Sequence, residues 1–122
     1  MAGGVGGGPM SALYHYCCRH SAELIVRSGV LRPFPQPLLC GLPVLWATDQ
    51  ETPGREALGL TMHMVQCDRT EQRFTIPDYS TQLFTPWLDS PVRLLVDDLA
   101  NFEAAPRDPT LWWVSILPVA VR

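Results

Sequence analysis

Pro33, Pro35 and Pro37 fall within five residues. Each proline fixes φ near about −65° and lacks a backbone N–H, so no regular structure is expected in that stretch. Twelve prolines are spread over the 122 residues. They confine regular structure to short elements joined by long loops, and loops of that length in so small a domain are often binding loops. The chain is one domain long, and with 47% hydrophobic and 17% charged residues it can bury a core.

Between the punctuation marks, the pattern predicts a compact α+β domain. Leu13–Cys17 reads as an aromatic-rich strand. A helix follows, with Ser21 as N-cap, Ala22, Ile25 and Val26 at i, i+3, i+4, and Gly29 at its end. Val44–Thr48 reads as a buried strand, and Asp49 leads into a short helical turn between Pro53 and Gly59. Strands are expected over 61–67, 73–76 and 111–116. The strongest helix signal begins at Ser90 and Pro91, where Val92, Leu95, Val96, Leu99 and Phe102 form a continuous apolar stripe. Residues 1–12, rich in glycine, read as a disordered tail, leaving 13–122 as the single domain.

Composition excludes several classes of chemistry. All nine basic residues are arginine, so a lysine Schiff base and a P-loop lysine are ruled out. A net charge of −3 argues against holding nucleic acid mainly by charge. No apolar run is long enough for a membrane span, and the start Met1-Ala-Gly-Gly has neither the basic region nor the apolar stretch of a secretory signal, so a cytoplasmic location is expected. The four cysteines, Cys17, Cys18, Cys40 and Cys67, then read as buried thiols rather than disulfides. His15, Cys17, Cys18 and His20 crowd together, but without the paired spacing of a zinc site, and no metal is expected.

Three stretches together carry a family resemblance: Leu13-Tyr14-His15-Tyr16; then Ala22-x-x-Ile25-x-x-Ser28-Gly29-Val30-Leu31-Arg32-Pro33; then Val44-Leu45-Trp46-Ala47-Thr48-Asp49. The combination, over about residues 13–60, resembles small ADP-ribosyltransferase-like domains of the His-Tyr-Asp toxin or phage type. Cys67-Asp68-Arg69 and Trp112-Trp113-Val114-Ser115 also resemble uncharacterised actinobacterial and actinophage proteins with the same opening. The first resemblance implies two small antiparallel sheets with two main helices. It also implies NAD, used as a substrate, in a cleft between the sheets, with ADP-ribose passed to a protein, nucleic-acid or small-molecule acceptor. Such a site must orient the ribose, hold the nicotinamide ring and stabilise an oxocarbenium-like state with a carboxylate.

Carried onto this chain, the resemblance makes His15 the ribose-binding and catalytic histidine, with Tyr16 beside it and Trp46 stacking on nicotinamide. His15 could equally be satisfied within the sheet, and Trp46 could be a core aromatic. Asp49 and Asp68 are the candidate catalytic carboxylates, although Asp49 could cap the following turn and Asp68 could lie in a solvated one. Arg69 or Arg73 could clamp the diphosphate. Glu103 is an outlying carboxylate that reads more simply as a surface residue. Cys17 stands where the family has threonine, and no glutamate-x-glutamate motif is found. Trp112 and Trp113 should point to opposite faces of their strand, one ring into the core. Two readings follow: an NAD-dependent transferase, or a non-enzymatic nucleotide- or partner-binding module on the same fold. The transferase needs His15 and a carboxylate facing one cleft with Trp46 at its wall, whereas the module needs no converging triad.

Overall fold

The computed structural model describes residues 12–35, 41–52, 54–58, 60 and 69–121. The glycine-rich start, the strand expected over 61–67, the bounding Pro53 and Gly59, and Cys40, Cys67 and Asp68 all lie outside them.

The described strands are β1 (Tyr14–Cys17), β2 (Val30–Leu31), β3 (Phe34–Pro35), β4 (Pro43–Thr48), β5 (Gln72–Thr75), β6 (Thr85–Pro86), β7 (Trp112–Ser115) and β8 (Val119–Ala120). Six of them form one antiparallel sheet in the order β5-β1-β4-β7-β6, with β3 added against the start of β4. β2 and β8 pair separately as a two-stranded antiparallel ladder. The architecture is therefore mixed α/β with antiparallel sheets and few helices, though the two sheets are far from equal in size. The proline-rich stretch departs from expectation. Phe34 and Pro35 pair with Val44 and Pro43 as a two-residue strand, which proline tolerates because the pairing needs few of its backbone donors.

Helix α1 spans Arg19–Ser28 and ends at Gly29 in the left-handed conformation, φ 74°, whose N–H donates to Ile25 O at 2.7 Å. Its start lies two residues before the expected cap. Cys18 occupies the N-cap without capping a backbone N–H through its side chain, and the Glu71 carboxylate instead receives the Arg19 N–H at 2.8 Å from just before β5. Val26 is exposed rather than part of the buried stripe, which consists of Ala22 and Ile25.

The long helix expected from Ser90 does not form as one element. Pro91–Leu95 is a 3-10 segment opened by Ser90, whose hydroxyl accepts the Val92 N–H at 3.1 Å. Val96 is extended (ψ 124°), and helix α2 (Leu99–Phe102) then restarts on a second cap, Asp98. Two capping signals eight residues apart compete with one continuous helix. The apolar stripe marked four residues that pack inward but not a continuous helix: Val92, Val96, Leu99 and Phe102 all pack on one cluster, whereas its fifth member, Leu95, is 45% exposed.

The alternation of β4 and β7 sends side chains to two cores, one on each face of the sheet. Val44, Trp46, Trp112 and Val114 meet Trp87, Val92 and Phe102 on one face. Leu45, Ala47 and Trp113 meet Leu13, Leu31, Phe84 and Val119 on the other. Trp112 and Trp113 thus diverge as the sequence required, both into packed surroundings.

Candidate functional site

Register decides which of the candidate residues can meet. Tyr14 lies opposite Thr48 of β4, and directly paired residues share a face, so Tyr14 and Tyr16 lie on the same face as Thr48 and Trp46. His15 lies opposite Phe74, which packs against the Leu45–Ala47 core on the reverse face. Imidazole and indole therefore leave the sheet in opposite directions. They are nevertheless bonded neighbours, because His15 Nδ1 is 2.8 Å from the carbonyl oxygen of Trp46. Only a donating Nδ1–H fits that acceptor, which fixes the neutral tautomer. Burial pushes the His15 pKa below its ordinary value of 6.5, opposed by the bond to Trp46 O.

Trp46 belongs to an aromatic cluster. Its ring centroid lies 5.1 Å from that of Trp87, 5.8 Å from Trp112 and 6.3 Å from Phe102, at tilted and edge-to-face angles. Trp112 Nε1 donates to Ala57 O at 3.0 Å. Trp87, fully buried, donates its indole N–H to Glu103 Oε2. That carboxylate also takes a two-pronged ion pair from Arg93, Nε to Oε2 at 2.8 Å and Nη2 to Oε1 at 2.9 Å. The Glu103 side chain is only 14% exposed, so it is not the surface glutamate that the sequence suggested. The Arg93 bonds, aided by the Trp87 N–H, hold its carboxyl below the usual range against the opposing effect of burial, and Glu103 in turn raises the Arg93 pKa. Arg93 was not singled out in the sequence. Its spacing of ten residues from Glu103 corresponds to no local motif, so nothing in the sequence marked the pair.

A different corner does gather candidates. Tyr16 and Arg73 face one another across β1 and β5. The Tyr16 hydroxyl donates to Gln50 O at 2.8 Å, and Arg73 Nη1 donates to Glu51 O at 2.6 Å. The Arg73 guanidinium carbon sits 4.7 Å from the centroid of the Tyr14 ring. Burial raises the Tyr16 pKa, and Arg73 opposes that rise. Asp49 adjoins this group at the end of β4, its Oδ1 accepting from Gln50 Nε2 at 2.9 Å. Tyr16 and Arg73 are thus brought together against the Gln50 and Glu51 carbonyls, with Asp49 the preceding residue in the chain. His15 leaves the opposite face, Trp46 shares the face of Tyr14 and Tyr16 but packs into the aromatic cluster, and Arg69 lies in the turn that precedes β5. Tyr14, which the sequence reading left out, completes the corner, and its alternation with His15 was the available signal.

Cys17 and Cys18 are buried, and the Cys18 thiol lies 3.6 Å from Ser21 Oγ. Among the described residues no three of His, Cys, Asp and Glu gather as a metal site would require, and no helix is long and apolar enough to cross a membrane. Comparison with protein-family models, with curated proteins and with solved structures finds no match for this chain, so its function is argued from this geometry alone.

Proposed function

We propose that the chain is a nucleotide-binding module whose site is the corner made by Tyr14, Tyr16, Arg73 and the 49–51 turn. The observation that supports this reading is the meeting of Tyr16 and Arg73, paired across β1 and β5, on the Gln50 and Glu51 carbonyls that follow β4. A guanidinium brings positive charge and a flat face to an anionic nucleotide, phenol rings offer flat surfaces to a base, and a carboxylate accepts from ribose hydroxyls. NAD is the first ligand to test, because the sequence resemblance points to it.

Binding without transfer is favoured over NAD-dependent ADP-ribosyl transfer for one reason. The transferase reading needs His15 and Trp46 at one cleft, and their rings leave opposite faces of the sheet. A single experiment separates the two. NAD is added to the wild type, to Arg73→Ala and to His15→Asn, and both thermal stabilisation and nicotinamide release are measured. The module reading expects NAD to raise the melting temperature of the wild type and of His15→Asn but not of Arg73→Ala, with no nicotinamide released. Release that His15→Asn abolishes would establish NAD cleavage instead and open the search for a protein, nucleic-acid or small-molecule acceptor. Absence of stabilisation at millimolar NAD would overturn the module reading.

A further inference from the structure

We infer that Arg73 serves this site as a stacking shelf for the base of the nucleotide, and not as a fork for its phosphate; the inference rests on the nucleotide-binding reading above. A guanidinium recognises phosphate through its edge, where paired N–H groups point at two oxygens. In Arg73 one of those edge donors is turned back onto the protein, because Nη1 donates to Glu51 O at 2.6 Å. That bond restrains the guanidinium beside Tyr16, its partner across β1 and β5. The guanidinium carbon lies over the Tyr14 ring, 4.7 Å from its centroid, while Arg73 as a residue is exposed. What the corner presents to solvent is therefore a cation backed by an aromatic ring and restrained by a hydrogen bond to Glu51 O.

A planar heteroaromatic base completes such a stack, because guanidinium planes and aromatic rings both accept bases face-on with little dependence on sequence. Preorganisation favours this use, since the rotamer freedom of a long side chain is already restricted before the ligand arrives. The ligand class is a purine nucleotide, with the purine supplying most of the discrimination.

The test compares the wild type with Arg73→Lys, which keeps the charge and removes the plane. Two probes are used, adenosine 5′-monophosphate and ribose 5-phosphate, with affinity measured by calorimetry. A third probe, the fluorescent 1,N6-etheno analogue of adenosine 5′-monophosphate, reports stacking directly through quenching. A shelf predicts that Arg73→Lys weakens the adenine nucleotide about tenfold or more. It also predicts lost quenching of the etheno probe and unchanged binding of ribose 5-phosphate. Equal weakening of both sugar phosphates, or an Arg73→Lys variant that binds adenosine 5′-monophosphate like the wild type, would overturn the shelf while leaving the nucleotide site standing. A wild type that binds none of the three probes would overturn the nucleotide-binding reading itself.

Discussion

His15 and Trp46 are joined by a 2.8 Å hydrogen bond from imidazole Nδ1 to the main-chain carbonyl, yet their rings occupy opposite faces of the sheet. The bond crosses the β1–β4 seam, where Tyr14 and Thr48 are the one paired position. A second side-chain bond, from the Tyr16 hydroxyl to Gln50 O, crosses the same seam. Side chains thus do there what ladder hydrogen bonds do between β4 and β7, where four residue pairs are in register. This makes His15 a structural element of the sheet.

Its depressed pKa gives that role a pH signature. The unfolded chain takes up a proton near 6.5, whereas the folded chain resists until lower pH because the imidazole is buried. Stability is therefore full above pH 6.5 and is lost progressively as pH falls from there through the folded value. His15→Asn retains a donor for Trp46 O and cannot titrate. Urea midpoints measured from pH 8 to pH 5 should bend downward for the wild type, with the His15→Asn curve lacking that bend.

Glu103 gives a second, lower window. Arg93 and Trp87 hold its carboxyl below the ordinary 4.5, so its contribution is present above that pH and disappears as pH falls through the folded value. Glu103→Gln should melt below the wild type at pH 7. The gap should close when the same scans are run at progressively lower pH beneath 4.5.

Trp87 is where the 3-10 segments Pro91–Leu95 and Pro109–Leu111, α2 and the sheet converge, and it is fully buried. Trp87→Phe leaves a void beside Trp46 and Trp112 and removes one donor from Glu103. We expect a loss of about 2–4 kcal/mol in unfolding free energy, measured by urea titration.

Gly29 ends α1 with φ 74°, a conformation in which a Cβ is strained. Gly29→Ala should cost about 1–2 kcal/mol, and Gly29→Asn less, since asparagine visits this region more readily. Thermal melts of the two variants side by side give the comparison.

Local signals made much of the fold legible. Aromatic and β-branched runs marked β1, β4, β5 and β7 to within a residue or two, and Gly29 marked the end of α1. The helix from Ser90 was misread because a stripe at helical spacing records which residues are buried, and two short segments with separate caps can bury the same residues. At the site, Tyr16, Asp49 and Arg73 could be picked out singly from residue type and position. The meeting of Tyr16 with Arg73 could not, since it depends on a pairing of strands far apart in the chain. Glu103 and Arg93 show the same limit more sharply, because a cap, a 3-10 segment and an extended residue must all form before they meet.

The most direct test of the nucleotide-binding account is an amide chemical-shift titration of the labelled chain with NAD. The account predicts saturable shifts concentrated at residues 14–16, 49–51 and 72–74, abolished in Arg73→Ala. Shifts that saturate around the exposed Leu94–Leu95 segment instead, or no shifts at millimolar NAD, would contradict it.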